Sequence, residues 1–189
     1  MEWSCKGHYG PINPKNLHFK IDFLELTFMP YNETLINKIK DLLVDKEETI
    51  AVAESVTSGN IQAALSIATD AKLFFHGGIT TYNLGQKARH LNVEPIHSEK
   101  VDCISEKVAT TMALEVAKMF TSDYGVGITG YATAVPGKED LFAVTAISYK
   151  NEIILCERIT SEKQGTYEVQ VDYTNKVIQH LYELIQSKK

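Results

Sequence analysis

The sequence predicts an α/β fold: a three-layer α/β/α sandwich whose mixed sheet has parallel strands followed by a C-terminal antiparallel hairpin. Two observations lead to this prediction. Segments with helical and with strand-like hydrophobic periodicity alternate between residues 31 and 137, which is typical of parallel β-α units. Two β-branched runs, 141–150 and 152–160, then meet at a short polar turn near Asn151 and indicate a hairpin.

Each predicted element has a periodicity of its own. Helices are expected where apolar residues recur every three or four positions: from Asn32, after Gly59, over 84–93, from the N-cap Ser105, and over roughly 166–186. Strands are expected where apolar or β-branched residues follow one another between turn residues: 50–54, within 74–83, at the start of 123–137, and in the two hairpin runs.

Residues 1–30 differ from the rest of the chain. Glycines and prolines interrupt their periodicity, although residues 18–28 have the alternation of one strand. We interpret residues 1–30 as an N-terminal arm or accessory strand, and residues 31–189 as the α/β domain.

Composition narrows the class of protein. The chain has 189 residues, of which 44% are hydrophobic and 23% charged, as in a soluble domain with a substantial core. Its net charge of −5 argues against general affinity for nucleic acid or anionic membranes. Three widely spaced cysteines fit a reducing compartment and indicate neither a disulfide framework nor a zinc site. We therefore expect a cytoplasmic protein without a metal, a cofactor, a nucleic-acid partner or a membrane span.

The segment TIAVAESVTSGN (49–60) has the pattern of a strand, a tight turn and a helix. Backbone N–H groups at such a helix N-terminus stabilise anions and developing oxyanions. Ser55 would be a nucleophile here if a base lay close to it. The alternative is that Thr57 or Ser58 merely caps the helix, and this segment alone leaves both interpretations open.

Functional residues of an α/β sheet gather at the carboxyl ends of its strands. Three segments should therefore meet: 54–59, 82–87 and 129–133. No Ser-His-Asp set can be assigned, but a serine can also be activated by a lysine that is kept neutral. Lys87 is the candidate base, with Tyr82 as a proton relay. The alternatives are a solvated lysine and a tyrosine that packs on the sheet.

Four segments, in order, resemble motifs of the CinA C-terminal domain family, also known as the PncC or nicotinamide-nucleotide amidase family. The segments are AESVTSG (53–59, family AESCTGG), GGITTYNLGQKARHLNV (77–93, family GG-V-x-x-Y-S-N-E-A-K-A-R-x-L-G-V), ISEKVA (104–109, family VSEEVA) and GVGITG (125–130, family A-x-x-V-T-G). The resemblance extends over about residues 33–186, and the separation of Ser55 from Lys87 matches the family without a gap.

The resemblance implies an amidohydrolase that converts the carboxamide of nicotinamide mononucleotide to a carboxylate and ammonia. By position, Ser55 would be the nucleophile and Lys87 the general base, with Tyr82 beside them. Substrate contacts would come from the turn and from the third strand: Glu54, Thr57, Ser58, Gly59, Thr129, Gly130 and Tyr131. The backbone N–H groups of 57–59 would stabilise the oxyanion or bind the phosphate.

The sequence departs from the family pattern around the expected substrate. Val56 replaces the motif cysteine, Tyr131 enters the loop that reads G-I-A-G-P-G-G in the family, and Lys163 stands in the late segment where the family has G-D-R. An amidase with an altered substrate is therefore one hypothesis, and a catalytically degenerate binding or interaction module is another. A third is a partner of a separate nucleotide-processing domain. A homo-oligomer is compatible with each of them.

Overall fold

The fold is organised around a five-stranded mixed sheet, and the computed structural model describes residues 30–135 and 140–188. The strands are β1 (Ile50–Glu54), β2 (Phe75–Thr80), β3 (Tyr124–Gly130), β4 (Phe142–Tyr149) and β5 (Glu152–Thr160), in the order β2-β1-β3-β4-β5. β1 pairs in parallel with β2 and β3, whereas β3 with β4 and β4 with β5 are antiparallel. The predicted parallel strands and C-terminal hairpin are confirmed.

Helices cover both faces of this sheet. The α-helices of the described residues are α1 (Glu33–Asp45), α2 (Asn60–Ser66), α3 (Leu84–Leu91), α4 (Pro95–Lys100), α5 (Glu106–Phe120) and α6 (Thr166–Ser187). α1, α2 and α6 share one hydrophobic core with the sheet, and α5 packs on the opposite face. The predicted three-layer α/β/α arrangement is confirmed, while the strand expected over 18–28 lies outside the described residues.

Side-chain caps explain where several helices begin. The Asn32 side chain accepts a hydrogen bond from Leu35 N at the start of α1, and Ser105 Oγ accepts one from Val108 N at the start of α5. The sequence predicted Ser105 as the N-cap of α5, and it predicted Asn32 or Glu33 near the start of α1. The sequence did not predict α4, because a six-residue helix that opens with Pro95 is too short to show a periodicity.

α5 lies directly against β3, and glycine makes this close approach possible. A Cβ added at Gly127 would lie 2.3 Å from the Ala109 carbonyl oxygen, and one at Gly125 would lie 2.0 Å from that of Ala113. β1, next to β3, is buried on both faces. The carboxyl ends of β1 and β3 are therefore held side by side in a closely packed part of the molecule.

None of the helices described in this structure combines the length and the hydrophobicity that crossing a membrane requires. The cytoplasmic location stays a prediction.

Candidate functional site

A buried glutamate shapes the turn that follows β1. The Glu54 side chain is fully buried, and its carboxylate accepts hydrogen bonds from the backbone N–H groups of Gly59, Ile61 and Gln62 at 2.9–3.1 Å. Glu54 thus caps α2, and the prediction that Thr57 or Ser58 caps this helix was wrong. The carboxylate accepts hydrogen bonds from three donors at once, which a hydroxyl does not.

The backbone N–H groups of the turn also differ from those of the predicted anion-binding site. Ser58 and Gly59 have φ angles of 53° and 98°, and Ser58 N donates to Ser55 O while Gly59 N donates to Glu54. These two N–H groups therefore already have acceptors within the turn. Glu54, Thr57, Ser58 and Gly59 are not among the residues that line the cavity at the ends of the strands, and their contacts with a substrate stay a prediction.

The structure brings Ser55 and Lys87 into direct contact. Lys87 Nζ lies 2.8 Å from Ser55 Oγ and donates a hydrogen bond to the Thr81 carbonyl oxygen, also at 2.8 Å. Ser55 follows the end of β1, whereas Lys87 lies on α3, which begins after β2 with Asn83 as its N-cap. The parallel pairing of β1 with β2 therefore sets the distance between the two side chains.

Burial changes the acid–base properties of this pair. The Lys87 side chain is only 1% exposed, and this burial lowers the pKa of its amine below the usual value for lysine. Two nearby groups oppose the change: Cys103, in so far as it is a thiolate, and the Asp102 carboxylate both raise the pKa of Lys87. Burial also raises the pKa of the Cys103 thiol, which therefore stays protonated and is a weaker nucleophile.

Ser55 and Lys87 line a cavity of about 460 Å³, a volume within the usual range for sites that bind small molecules. The other residues of its wall are Val56, Tyr82, Asn83, Leu84, Asp102, Cys103, Ile104, Thr129, Gly130, Tyr131, Ala132, Thr133 and Thr166. The three segments expected to converge all contribute to this wall. Tyr82 lies at the mouth of the cavity, where its side chain is 68% exposed.

Residues 102–104 form a wall of the cavity that sequence reasoning missed. Asp102 and Cys103 have successive φ angles of 53° and 59°, an uncommon backbone for residues other than glycine. Two hydrogen bonds connect this turn to the end of β3: Tyr131 Oη donates to Asp102 at 2.6 Å, and Thr129 Oγ1 donates to the Cys103 carbonyl at 2.9 Å. The only local signal was the tolerance of aspartate for a left-handed backbone.

Contacts with neighbouring residues hold the Tyr131 side chain in one position at the cavity wall. Its ring meets that of Phe142 edge-on with centroids 5.7 Å apart, and its carbonyl accepts a hydrogen bond from Tyr173 Oη at 3.2 Å. Its hydroxyl donates a hydrogen bond to Asp102, as described above. The ring therefore forms a defined part of the cavity wall.

Lys163, the remaining cation of the late segment, does not line this cavity. It borders a separate groove together with Pro30 and Tyr167. Within the described parts of the chain, no group of three or more His, Cys, Asp or Glu side chains is placed to hold a metal ion.

This combination of fold and site defines an α/β domain with a buried serine–lysine pair at the carboxyl ends of its parallel strands. The family model described as the CinA C-terminal domain matches residues 32–185. The chain belongs to this family.

Relatives of known sequence support the assignment. A CinA-like protein from Thermosynechococcus vestitus is 38% identical over 100 residues, which are 53% of this chain and 24% of that protein. A CinA-like protein from Prochlorococcus marinus is 28% identical over 182 residues, 94% of this chain and 43% of that protein. The chain thus spans less than half the length of these curated relatives.

Solved structures show the same fold. A competence-damaged protein (CinA) superfamily protein from Klebsiella pneumoniae superposes with a TM-score of 0.76 at 21% identity, covering 82% of this chain and 98% of that chain. A member of the same superfamily from Escherichia coli gives 0.73 at 24% identity, covering 80% and 89%.

Proposed function

We propose that this domain is a serine–lysine amidohydrolase that acts on the carboxamide of a small pyridine nucleotide or nucleoside, as the family resemblance implies for nicotinamide mononucleotide. The observation that carries the proposal is the 2.8 Å contact between Lys87 Nζ and Ser55 Oγ at the wall of the cavity. A lysine held only for structure would not need its amine at a serine hydroxyl beside a ligand-sized cavity.

The first half of the reaction acylates the serine. Neutral Lys87 takes the proton of the Ser55 hydroxyl as Oγ attacks the carboxamide carbon and a tetrahedral oxyanion forms. The resulting ammonium of Lys87 gives its proton to the amide nitrogen, and the C–N bond breaks to release ammonia. The bond to Thr81 O keeps the amine directed at Ser55 throughout.

The second half restores the enzyme. Lys87, neutral again, takes a proton from a water molecule that attacks the ester carbon on Ser55. The ester bond breaks, Oγ recovers a proton from Lys87, and the carboxylic acid leaves as its anion. Tyr82 at the mouth of the cavity is within the substrate's path, and its role as a proton relay stays a prediction.

Ammonia release from nicotinamide mononucleotide and from nicotinamide riboside tests the proposal. We expect Ser55→Ala and Lys87→Met each to lower kcat/KM by at least about a thousandfold, because each removes one half of the pair. Ser66→Ala on α2 and Lys72→Met are matched controls at exposed positions outside the cavity, and they should keep the wild-type rate.

Two outcomes would contradict the proposal. Turnover that survives both Ser55→Ala and Lys87→Met would exclude the pair as the catalytic machinery. Absence of turnover, with either compound still raising the melting temperature, would instead favour the binding module, since a ligand that binds only the folded state stabilises it.

A further inference from the structure

The cap of α3 fixes the orientation of the Asn83 side chain. Asn83 Oδ1 accepts a hydrogen bond from Gln86 N at 3.0 Å, which satisfies one of the free donors at the start of the helix. In a side-chain amide the oxygen accepts hydrogen bonds, whereas the nitrogen only donates them. The oxygen must therefore lie over the first turn of α3, and Nδ2, with its two N–H groups, lies on the other side of the amide.

The donors of Nδ2 are accessible to a ligand. Asn83 is an exposed residue, and it lines the cavity that contains Ser55 and Lys87. In the described parts of the chain, no acceptor forms a hydrogen bond with Nδ2. An oxygen atom of a bound molecule can therefore accept a hydrogen bond from this amide without displacing a protein partner.

Asn83 is also close to the reacting pair. It precedes Lys87 by one helical turn, and its carbonyl oxygen accepts a hydrogen bond from Lys87 N at 3.1 Å. Residues at this spacing are neighbours on a helix, with about 5–6 Å between their Cβ atoms. Lys87 Nζ in turn is bonded to Thr81 O, two residues before Asn83. The amide therefore lies about one helical turn from the place where Ser55 would attack a carboxamide.

The proposed reaction requires a donor at the carboxamide oxygen. Attack by Ser55 places a negative charge on this oxygen, and a hydrogen-bond donor aimed at it lowers the barrier. The N–H groups of Ser58 and Gly59, expected from the sequence to act here, already have acceptors. The Thr129 hydroxyl likewise donates to the Cys103 carbonyl. The Asn83 amide, whose donors are accessible, meets the requirement.

We infer that Asn83 is a catalytic residue whose Nδ2 donates a hydrogen bond to the carboxamide oxygen of the substrate and to the oxyanion that it becomes. The inference rests on the proposed amidase function and adds the group that binds the developing charge. It also concerns a departure from the family pattern, because the motif has serine where this chain has Asn83. A serine caps a helix equally well, but its hydroxyl is one bond shorter than the asparagine amide and ends closer to the backbone.

Asn83→Ser and Asn83→Asp both keep an oxygen that caps α3 and remove the amide donor. Asn83→Asp also places a carboxylate next to the oxyanion. Asn32→Ser and Asn32→Asp are the matched controls, because Asn32 Oδ1 caps α1 in the same way, 3.1 Å from Leu35 N, and Asn32 does not line the cavity. Since the three residue types cap helices about equally, all four variants should melt close to the wild-type temperature.

The first measurement is ammonia release from nicotinamide mononucleotide and from nicotinamide riboside. It is made at the pH where the rate reaches its plateau, so that differences in the pKa of Lys87 do not enter. We expect Asn83→Ser to lower kcat by about ten- to a hundredfold and Asn83→Asp by more, with KM changed by less than about threefold. The reason is that the hydrogen bond is stronger to the oxyanion than to the neutral oxygen. The Asn32 variants should keep the wild-type kcat.

The pH profile separates this role from a structural one. Asn83→Ser removes no charge, so the midpoint of kcat/KM against pH should stay where it is in the wild type. A midpoint that moves would show that Asn83 acts by placing Lys87, and it would overturn the inference.

The second measurement does not depend on turnover. Ser55 Oγ can add to the boron atom of 3-pyridineboronic acid while Lys87 takes the hydroxyl proton, which gives a tetrahedral boronate with a negative charge in the place of the oxyanion. We expect its dissociation constant, measured by calorimetry, to rise by about tenfold or more in Asn83→Ser and to stay unchanged in Asn32→Ser.

The outcomes distinguish this inference from the proposed function. Ammonia release with a wild-type kcat in Asn83→Ser would overturn the role of Asn83 and leave the proposed function intact. Boronate binding that depends on Asn83, without ammonia release from either compound, would overturn the proposed function and leave the donor in place. If the wild-type protein neither releases ammonia nor binds the boronic acid, both are overturned.

Discussion

At the scale of single residues, Lys87 determines the chemistry that the site can support. Its amine is placed between a serine hydroxyl and a backbone carbonyl, and no carboxylate forms a hydrogen bond with it in the described structure. Burial therefore dominates and lowers the pKa of Lys87. An ammonium in this place would be a proton donor, whereas a neutral amine is the base that the proposed attack by Ser55 requires.

The pH dependence of kcat/KM follows from that pKa. The proposed reaction requires neutral Lys87, so kcat/KM should rise with pH, with a midpoint below the pKa of an exposed lysine. The negative charge of Asp102 raises the pKa of Lys87. Asp102→Asn should therefore lower that pKa further and move the rising limb to lower pH.

Initial rates measured across the pH range with Asp102→Asn, and with Asp70→Asn as the control, check this expectation. A limb that moves to higher pH in Asp102→Asn, or that moves equally in both variants, would contradict the assignment of Lys87 as the titrating base.

At the scale of elements, two contacts position the residues of the site. Glu54 joins the end of β1 to the start of α2, and α5 packs closely against the glycines of β3. The first fixes the turn that carries Ser55. The second fixes the β3 end that carries Thr129 and Tyr131.

Removal of the Glu54 carboxylate should lower the stability of the fold. Glu54→Ala leaves three backbone donors without their acceptor in a buried place, and we expect it to lower the free energy of unfolding by about 2–3 kcal/mol. Glu94→Ala is the matched control, since Glu94 caps α4 in the same way but at the exposed surface, and its loss should be smaller. Urea unfolding of both variants measures the difference, and equal losses would refute the structural role assigned to Glu54.

Addition of one methyl group should disturb the second contact. Gly127→Ala forces α5 away from β3, because the new Cβ would lie 2.3 Å from Ala109 O, and we expect a loss of about 1–3 kcal/mol. Gly85→Ala in α3 should instead gain about 0.5–1 kcal/mol, since its Cβ meets only an ordinary contact at 3.5 Å. We expect the two substitutions to change the free energy of unfolding in opposite directions. A Gly127→Ala variant with unchanged free energy of unfolding would show that the packing is looser than described.

The sequence was sufficient for the elements other than α4, but not for all of the site. The local sequence pattern predicts the strands and their order along the chain. Because functional residues gather at the carboxyl ends of parallel strands, this order is enough to predict that Ser55 and Lys87 lie close together. The role of Glu54 was missed because its carboxylate reaches donors five to eight residues ahead. The turn at Asp102 was missed because its left-handed backbone is supported by bonds to β3, which are contacts distant in sequence.

At the scale of the whole molecule, the described domain begins with contacts that involve residues 30–32. Pro30 O accepts a hydrogen bond from Asn175 Nδ2 at 2.9 Å, and the Tyr31 hydroxyl donates to Asn60. These bonds connect the segment before α1 to α6 and to α2. The domain boundary near residue 30 remains a prediction that truncation can test.

A chain that begins at Met29 keeps these contacts, and we expect it to unfold cooperatively with the wild-type midpoint. A chain that begins at Glu33 also loses the Asn32 cap of α1 and should be less stable by about 1–2 kcal/mol. Thermal unfolding followed by circular dichroism compares the two. If the chain from Met29 shows no cooperative transition, residues 1–28 are required for folding and the boundary is misplaced.

The two hydrogen bonds that connect the 102–104 turn to the end of β3 have a consequence for the rate of ligand entry. Because Tyr131 and Thr129 order this wall through contacts within the protein, association does not have to wait for these residues to rearrange. The association rate constant should therefore be set by diffusion and orientation, and it should depend on ionic strength more than on the internal motion of this wall.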